Sequence, residues 1–173
     1  MKVLFAEIPE EGLVLQVNDE AWFPDSEVSR CGPVRVRLQL QAKGMGRVLL
    51  KGHMATRFRL TCDRCLVEYE QDLAEEFQLD LEVAPEFGRG VAEHQCDADE
   101  MDTVHLSEPV IDVFQLLFQQ VFLLMPAKKV CHEECLGLCP QCGTNRNTSN
   151  CDCDSKLQNS PFDILAGLRK QKM

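Results

Sequence analysis

Six cysteines fall within 23 residues in CHEECLGLCPQCGTNRNTSNCDC (Cys131–Cys153), and two more stand far upstream in TCDRC, at Cys62 and Cys65. Within the cluster, Cys139-Pro-Gln-Cys142-Gly has the form of a knuckle. Its turn aims backbone amides at the first thiolate, and Gly143 permits the tight return. Eight residues later Cys151-Asp-Cys153 offers two more thiolates. Together Cys139, Cys142, Cys151 and Cys153 can close one tetrahedral four-sulfur shell, which suits zinc or iron over harder cations. Gly137, Gly143 and the TNRNTSN stretch form loops, as expected of a module folded by its metal rather than by a core.

The upstream pair is more open. Cys62-Asp-Arg-Cys65 follows a strand, so a thiol-redox or metal-handling pair has to be weighed, but the surrounding chain lacks the alternating helices of a thioredoxin-like fold. Cys131 and Cys135 are left without partners if the other four hold one ion. A second site from Cys62, Cys65, Cys131 and Cys135 would pin the terminal module to the strand body. The competing arrangements are one shared zinc drawn from both clusters, or an upstream pair without metal. Cys31 and Cys96 stand alone and are read as bland. His53, His94, His105 and His132 are read as solvated or packed rather than as ligands.

These thiols need elements to place them, and the first two thirds of the chain read as strands. In GPVRVRLQLQAKG, Val34, Val36, Leu38 and Leu40 alternate with Arg35, Arg37, Gln39 and Gln41. In RVLLKGHMATRFRLTC, Val48, Leu50, Met54, Phe58 and Leu60 share one parity, and Lys51, His53, Arg57 and Arg59 the other. A hairpin turn over 42–46 would set Leu38 opposite Leu50 and Arg37 opposite Lys51. EEFQLDLEV alternates again, with Phe77, Leu79, Leu81 and Val83 inward. Residues 84–104 read as a long acidic loop. LSEPVIDVFQLLFQQVFLLMP reads as a helix capped by Ser107, with Glu108 and Pro109 in its first turn and Pro126 at its end. Its apolar residues cover most of its circumference, so it is expected to be the buried core helix. SPFDILAGLRKQKM reads as a short terminal helix capped by Ser160.

Charge is unevenly spread over the 173 residues. The net charge is −10, and residues 68–112 hold fifteen acids against one base, Arg89. That segment is either a solvated loop or a surface that meets a basic partner and keeps non-specific RNA away. The outward Arg35, Arg37, Lys51, Arg57 and Arg59 form a basic stripe. It is either a solvated face balanced by those acids or a face for RNA phosphates. Like charges directly opposite one another destabilise a sheet, so such a stripe calls for a cause. No run of about 18 apolar residues is present to span a membrane. MKVLFAEIPEEG has a short apolar run and early acids, so a reducing, cytoplasmic setting is expected, where clustered cysteines bind metal more often than they form disulfides. Phosphate-binding glycine loops, a nucleophile elbow and HExxH are all missing, so a non-enzymatic role is expected.

Three ordered motifs then suggest a family. The strand-rich half leading into LTCDRCL and an acidic stretch resembles the YceD family of bacterial large ribosomal RNA subunit accumulation proteins. CLGLCPQCGTNRNTSNCDC is similar to that family's Cys-rich signature, and SPFDILAGLRK to its closing helix. Where the family has a Leu-Asn pair after the knuckle, this chain has Arg146-Asn147. The resemblance implies a cytosolic, non-enzymatic factor supporting large-subunit ribosomal RNA accumulation and ribosome assembly. It points to Cys62, Arg64 and Cys65 upstream and to the six downstream cysteines. The fold class expected is α+β, with a β-rich body and core helix (1–126), a Cys-rich module holding one or two structural zinc ions (127–155), and a terminal helix packed on the body (156–173). RNA or a pre-ribosomal particle would meet Arg35, Arg37, Lys51, Arg57, Arg59 and Arg64, and a basic ribosomal protein would meet the acids. A zinc-stabilised adaptor that binds only protein is the remaining alternative.

Overall fold

The computed structural model describes residues 1–83 and 103–153. In chain order it contains β1 (Lys2–Leu4), a 3-10 turn (Phe5–Glu7), β2 (Leu13–Val17), β3 (Arg35–Gly44), β4 (Arg47–Thr61), β5 (Glu68–Val83), β6 (Thr103–Leu106), β7 (Val110–Asp112) and α1 (Val113–Leu124). The expected β-rich chain with antiparallel pairing and one helix is present. The chain divides into two compact units. Met1–Leu60 and Glu70–Ala127 form the first, and Thr61–Tyr69 joins the chain from Lys128 onward in the second. Sequence places Thr61–Tyr69 inside a 1–126 body. Its contacts group it instead with the Cys-rich chain, because Cys62 and Cys65 converge with Cys131 and Cys135. The expected terminal helix and most of the acidic loop lie outside the described residues.

In the first unit, a five-stranded sheet runs in the order β2-β3-β4-β5-β6, and β1 pairs with β7 in a separate ribbon. The period-two pattern decides which side chains enter the core. Val36, Leu38, Leu40, Val48, Leu50, Met54, Phe58 and Leu60 are buried, while the intervening Arg35, Arg37, Lys51, His53, Arg57 and Arg59 are exposed. Trp22, Phe23 and Val28 add to this core from the 18–34 connection. Arg30 stacks 4.6 Å over the Phe23 ring and reaches Asp25 at 2.8 Å, which fastens that connection.

Several details depart from the sequence expectation. The β3–β4 register is two residues further along: Leu40 faces Leu50, Leu38 faces Gly52 and Arg37 faces His53. A bulge between Ala42 and Gly44, followed by a two-residue turn at Met45 (φ 52°) and Gly46 (φ 74°), replaces the expected five-residue loop. Parity is unchanged, so the same faces form. The opposition of Arg37 and Lys51 disappears, however, because Lys51 now faces Gln39. Thr103 and Val104, expected in a loop, belong to β6, which runs parallel to β5 and makes the sheet mixed. The helix begins at Val113 rather than near Ser107. Val110–Asp112 instead pairs with Lys2–Leu4, and Asp112 caps the helix by accepting the Gln115 amide at 3.2 Å. Only one face of α1 is buried, through Val113, Leu116, Leu117 and Val121, whereas Leu123 is 75% exposed.

Between β4 and β5, Gly52 makes room for an aromatic ring. A Cβ built there would stand 2.2 Å from Phe77 Cζ, so the ring lies flat over bare backbone. Gly52→Val is therefore expected to destabilise the first unit by about 1–3 kcal/mol through overpacking. In a Phe77→Ala background the penalty should shrink, giving a measurable coupling in denaturant titrations. Equal penalties in both backgrounds would show that the ring is not the obstacle.

Candidate metal centres and a charged sheet face

Two CxxC turns with the same backbone geometry organise the second unit. In the first, Cys62 N–H donates to Val67 O at 2.9 Å and Leu66 N–H to Cys62 O at 2.9 Å. In the second, Cys139 N–H donates to Thr144 O at 2.8 Å and Gly143 N–H to Cys139 O at 2.9 Å. The residue after each second cysteine is left-handed, Leu66 at φ 58° and Gly143 at φ 73°. Gly143 takes that conformation at no steric cost, while a leucine is strained there by roughly 1–2 kcal/mol. A tight sulfur-binding turn imposes the conformation in both cases.

The remaining ligands come to these turns by short-range bonds. Asp63 accepts the Lys129 amide at 2.7 Å, and its own N–H donates to Lys129 O at 2.7 Å, which brings Cys131 alongside. Arg64 directs Nη1 to the carbonyls of Glu133 (3.2 Å) and Cys135 (2.8 Å). Gly137 (φ 72°) lies so close to Arg64 that a Cβ would sit 2.9 Å from the Arg64 carbonyl oxygen. Only glycine fits that position on both counts.

The outcome is two quartets, Cys62/Cys65/Cys131/Cys135 and Cys139/Cys142/Cys151/Cys153, each with its sulfurs within 4.8 Å of one another. Cys62 and Cys135 are 3.8 Å apart, and Cys65 and Cys131 are 3.6 Å apart. Four sulfurs about 2.3 Å from a common ion stand about 3.8 Å apart at the corners of a tetrahedron. All the described cysteines are free thiols. The donor sets and spacings are thus compatible with zinc. The first quartet is the more enclosed, with Cys62, Cys65 and Cys135 buried against Tyr69, Val130 and Leu138.

In each quartet two thiols are lowered and two are raised. Burial raises the Cys62 thiol, but the amides of Cys131, Cys65 and Arg64 outweigh it and leave the group at about 6. In Cys135 burial is likewise outweighed, by Asn147 and the Gly137 amide, so its pKa is lowered. Burial and hydrogen bonds to Cys65, Cys135 and Cys62 push Cys131 up to about 12. Cys65 is raised too, since burial and its sulfur neighbours exceed the help of the Val67 amide. In the second quartet the Thr144 hydroxyl, 3.1 Å from Cys142 Sγ, and the Thr144 amide hold Cys142 at about 6. The Cys142 and Gln141 amides lower Cys139. Cys153 is pushed up to about 12, first by Cys142 and then by burial, and Cys151 is raised by Cys139.

In the first unit, the basic stripe lies on the solvent face of the sheet, where β5 answers part of it. Arg57 grips Asp72 with two bonds at 2.7 and 2.8 Å, Arg59 meets Glu70 at 3.5 Å, and Arg47 meets Glu82 at 2.8 Å. Arg57 holds the Asp72 carboxyl below its ordinary range. Such exposed pairs contribute about 0–1 kcal/mol each. Their residue numbers add to one constant value, as an antiparallel β4–β5 ladder requires. Arg35, Arg37 and Lys51 have no ion-pair partner among the described residues. Arg37, Lys51 and His53 line an open groove of about 400 Å³ with Glu76 and Gln78.

The eight expected metal ligands are thus brought together in the expected two groups of four. Of the six cations expected to face RNA, Arg57 and Arg59 are engaged with carboxylates and Arg64 with carbonyls. Asn147, which donates to Cys135 Sγ at 3.3 Å, was not singled out as a partner of the ligands. Its place in the Arg146-Asn147 pair between Cys142 and Cys151 was the available signal.

A family model described as "Large ribosomal RNA subunit accumulation protein YceD" matches residues 50–169. The matched span holds all eight quartet cysteines and leaves out Arg35 and Arg37. The chain is also similar to the chloroplastic large ribosomal RNA subunit accumulation protein YCED homolog 1 of Zea mays. The two are 30% identical over 143 residues, which take in 70% of this chain and 48% of that protein. The chain therefore spans about half the length of that relative. No solved structure matches.

Three expectations follow from this geometry. Because Cys62 and Cys142 stand at about 6 and Cys135 and Cys139 are also lowered, ion uptake near neutral pH should release fewer than four protons per ion. Calorimetry in buffers of differing ionisation enthalpy counts those protons, and a value near four would mean that the quartets are not preformed. Leu66→Gly relieves the left-handed strain and should raise the stability of the metal-loaded chain by on the order of 1 kcal/mol, whereas Gly137→Ala should lower ion retention towards a chelator.

Proposed function

The chain belongs to the YceD family of large ribosomal RNA subunit accumulation proteins, and we propose that it is a non-enzymatic factor supporting accumulation of large-subunit ribosomal RNA and assembly of that subunit. Family membership across all eight quartet cysteines is the observation that carries this reading. Two structural zinc ions hold the second unit. Four sulfurs close each coordination shell and leave no position for substrate, as in structural rather than catalytic zinc sites.

The partner is the large-subunit RNA or its precursor particle, met through phosphates by Arg35, Arg37 and Lys51, which have no ion pair among the described residues, with His53 beside them. Acids on β5 engage Arg47, Arg57 and Arg59 and confine the free positive charge to the β3 side. The further acids of residues 68–112 meet a basic ribosomal protein. A cytoplasmic, reducing setting accords with the free thiols, and among the described residues no helix is long and apolar enough to cross a membrane. Burial of Cys62 and Cys65 weighs against thiol-redox chemistry, which needs an accessible thiolate.

The chain purified from its cells is expected to carry about two zinc ions, counted by atomic spectroscopy. Charge reversal of Arg35, Arg37 and Lys51 should weaken association with precursor large-subunit particles. It should also flatten the dependence of binding on salt by about two to three units of log–log slope. Neutralising Arg57 and Arg59 should do much less. An unchanged salt slope in the reversed chain would remove the sheet face from the RNA contact and leave the adaptor reading in its place.

A further inference from the structure

One side chain that stabilises the first quartet belongs to the second. Asn147 sits in the loop between Cys142 and Cys151, and its Nδ2 donates to Cys135 Sγ at 3.3 Å. The same Nδ2 donates to Asn145 Oδ1 at 2.9 Å, while Asn147 Oδ1 accepts the Leu136 N–H at 2.8 Å. One N–H facing Oδ1 and two acceptors facing Nδ2 settle which way round the amide stands, and both Nδ2 hydrogens are engaged.

The loop that delivers this amide is short and tied at both ends by ligands of the second quartet. Inside it, Asn145 Oδ1 also accepts the Asn147 N–H at 3.0 Å, and Arg146 N–H donates to Gly137 O at 2.9 Å. Releasing Cys151 and Cys153 frees one end of the loop, and the backbone freedom it regains opposes presentation of Asn147. A donor on a thiolate is a charge-assisted bond that steadies the ligand in charge and direction.

We propose that Asn147 couples the two centres: filling the Cys139/Cys142/Cys151/Cys153 quartet fixes the loop whose amide braces Cys135, so the first quartet holds its ion more tightly when the second is filled. By linkage the first ion strengthens the second to the same degree. The coupling rests on both quartets being metal sites. Asn147 acts through Cys135 and is a positioning residue rather than a ligand.

The test uses the full chain loaded with cadmium, whose NMR resonances distinguish the two centres, a Cys62→Ser variant assigning the first. Chelator competition then reads each affinity. Asn147→Leu keeps the volume and loses the donor, while Asn147→Asp keeps the acceptor for the Leu136 amide and turns a carboxylate oxygen towards the sulfur. Both should weaken the first ion about 10–100-fold while the second resonance stays in place. Cys151→Ser with Cys153→Ser should weaken the first ion by a similar factor, with no further loss when Asn147→Leu is added. First-site affinity equal to the parent's in either Asn147 variant overturns the coupling, as do losses that multiply in the combined chain. If the doubly substituted chain does not fold, the first-site affinity of the parent is read with the second centre empty and filled by stepwise loading, and equal values overturn the coupling. A parent chain that binds fewer than two ions overturns the metal reading together with the coupling. Two ions with parent-like variants overturn the coupling alone.

Discussion

Convergence of sulfurs from distant segments is the constraint on which the second unit depends. Cys62 lies 73 residues from Cys135, and Cys65 lies 66 residues from Cys131, yet each pair ends within 4 Å. Closing so long a loop costs conformational entropy, and the few apolar side chains packed here, Tyr69, Val130 and Leu138, offer little burial to offset it. The two proposed metal ions would supply the difference. The rest of the unit follows from that need. The left-handed Leu66 and Gly143, the close approach of Gly137 to Arg64, and the Asp63–Lys129 exchange all orient thiols.

Much of this was legible in the sequence, for a definite reason. Ligand spacing is a local property, so Cys139-x-x-Cys142 and Cys151-x-Cys153 announce a four-sulfur shell without tertiary information. The upstream quartet was legible only by counting, because nothing near Cys62 names Cys131 as its partner. Parity likewise survives ignorance of the register: shifting β3 against β4 by two residues leaves every side chain on its face. The bulge at Ala42–Gly44 that sets the true register depends on how Met45 and Gly46 turn. The start of α1 depends on β1, more than a hundred residues away, which pairs with Val110–Asp112 and leaves Asp112 rather than Ser107 to cap it. Asn147 was hidden for a similar reason, since its partner sulfur belongs to the other centre.

The sheet face shows how a charge count can mislead when partners are unplaced. Residues 68–112 are overwhelmingly acidic, but part of that charge lies in β5 directly beside β4 and answers Arg47, Arg57 and Arg59 one for one. The strand register turns a segment-level imbalance into local neutrality. Among the described residues, Arg35, Arg37 and Lys51 are left without an ion pair, as are Glu75, Glu76 and Asp80 on β5. A phosphate backbone would therefore meet a narrow strip of charge rather than a broad patch.

The separation of the ligands along the chain also sets an order of events during synthesis. At about 5–20 residues per second, Cys62 and Cys65 leave the ribosome several seconds before Cys131 and Cys135 exist to meet them. Through that interval the first turn is an exposed pair of thiols, while strands β4 and β5 beside it are already complete. Cys139 through Cys153, by contrast, emerge within about a second of one another at the faster rates and can capture an ion as a local event. The first quartet can therefore close only after Cys135 has been made, well after β4 and β5 have left the ribosome.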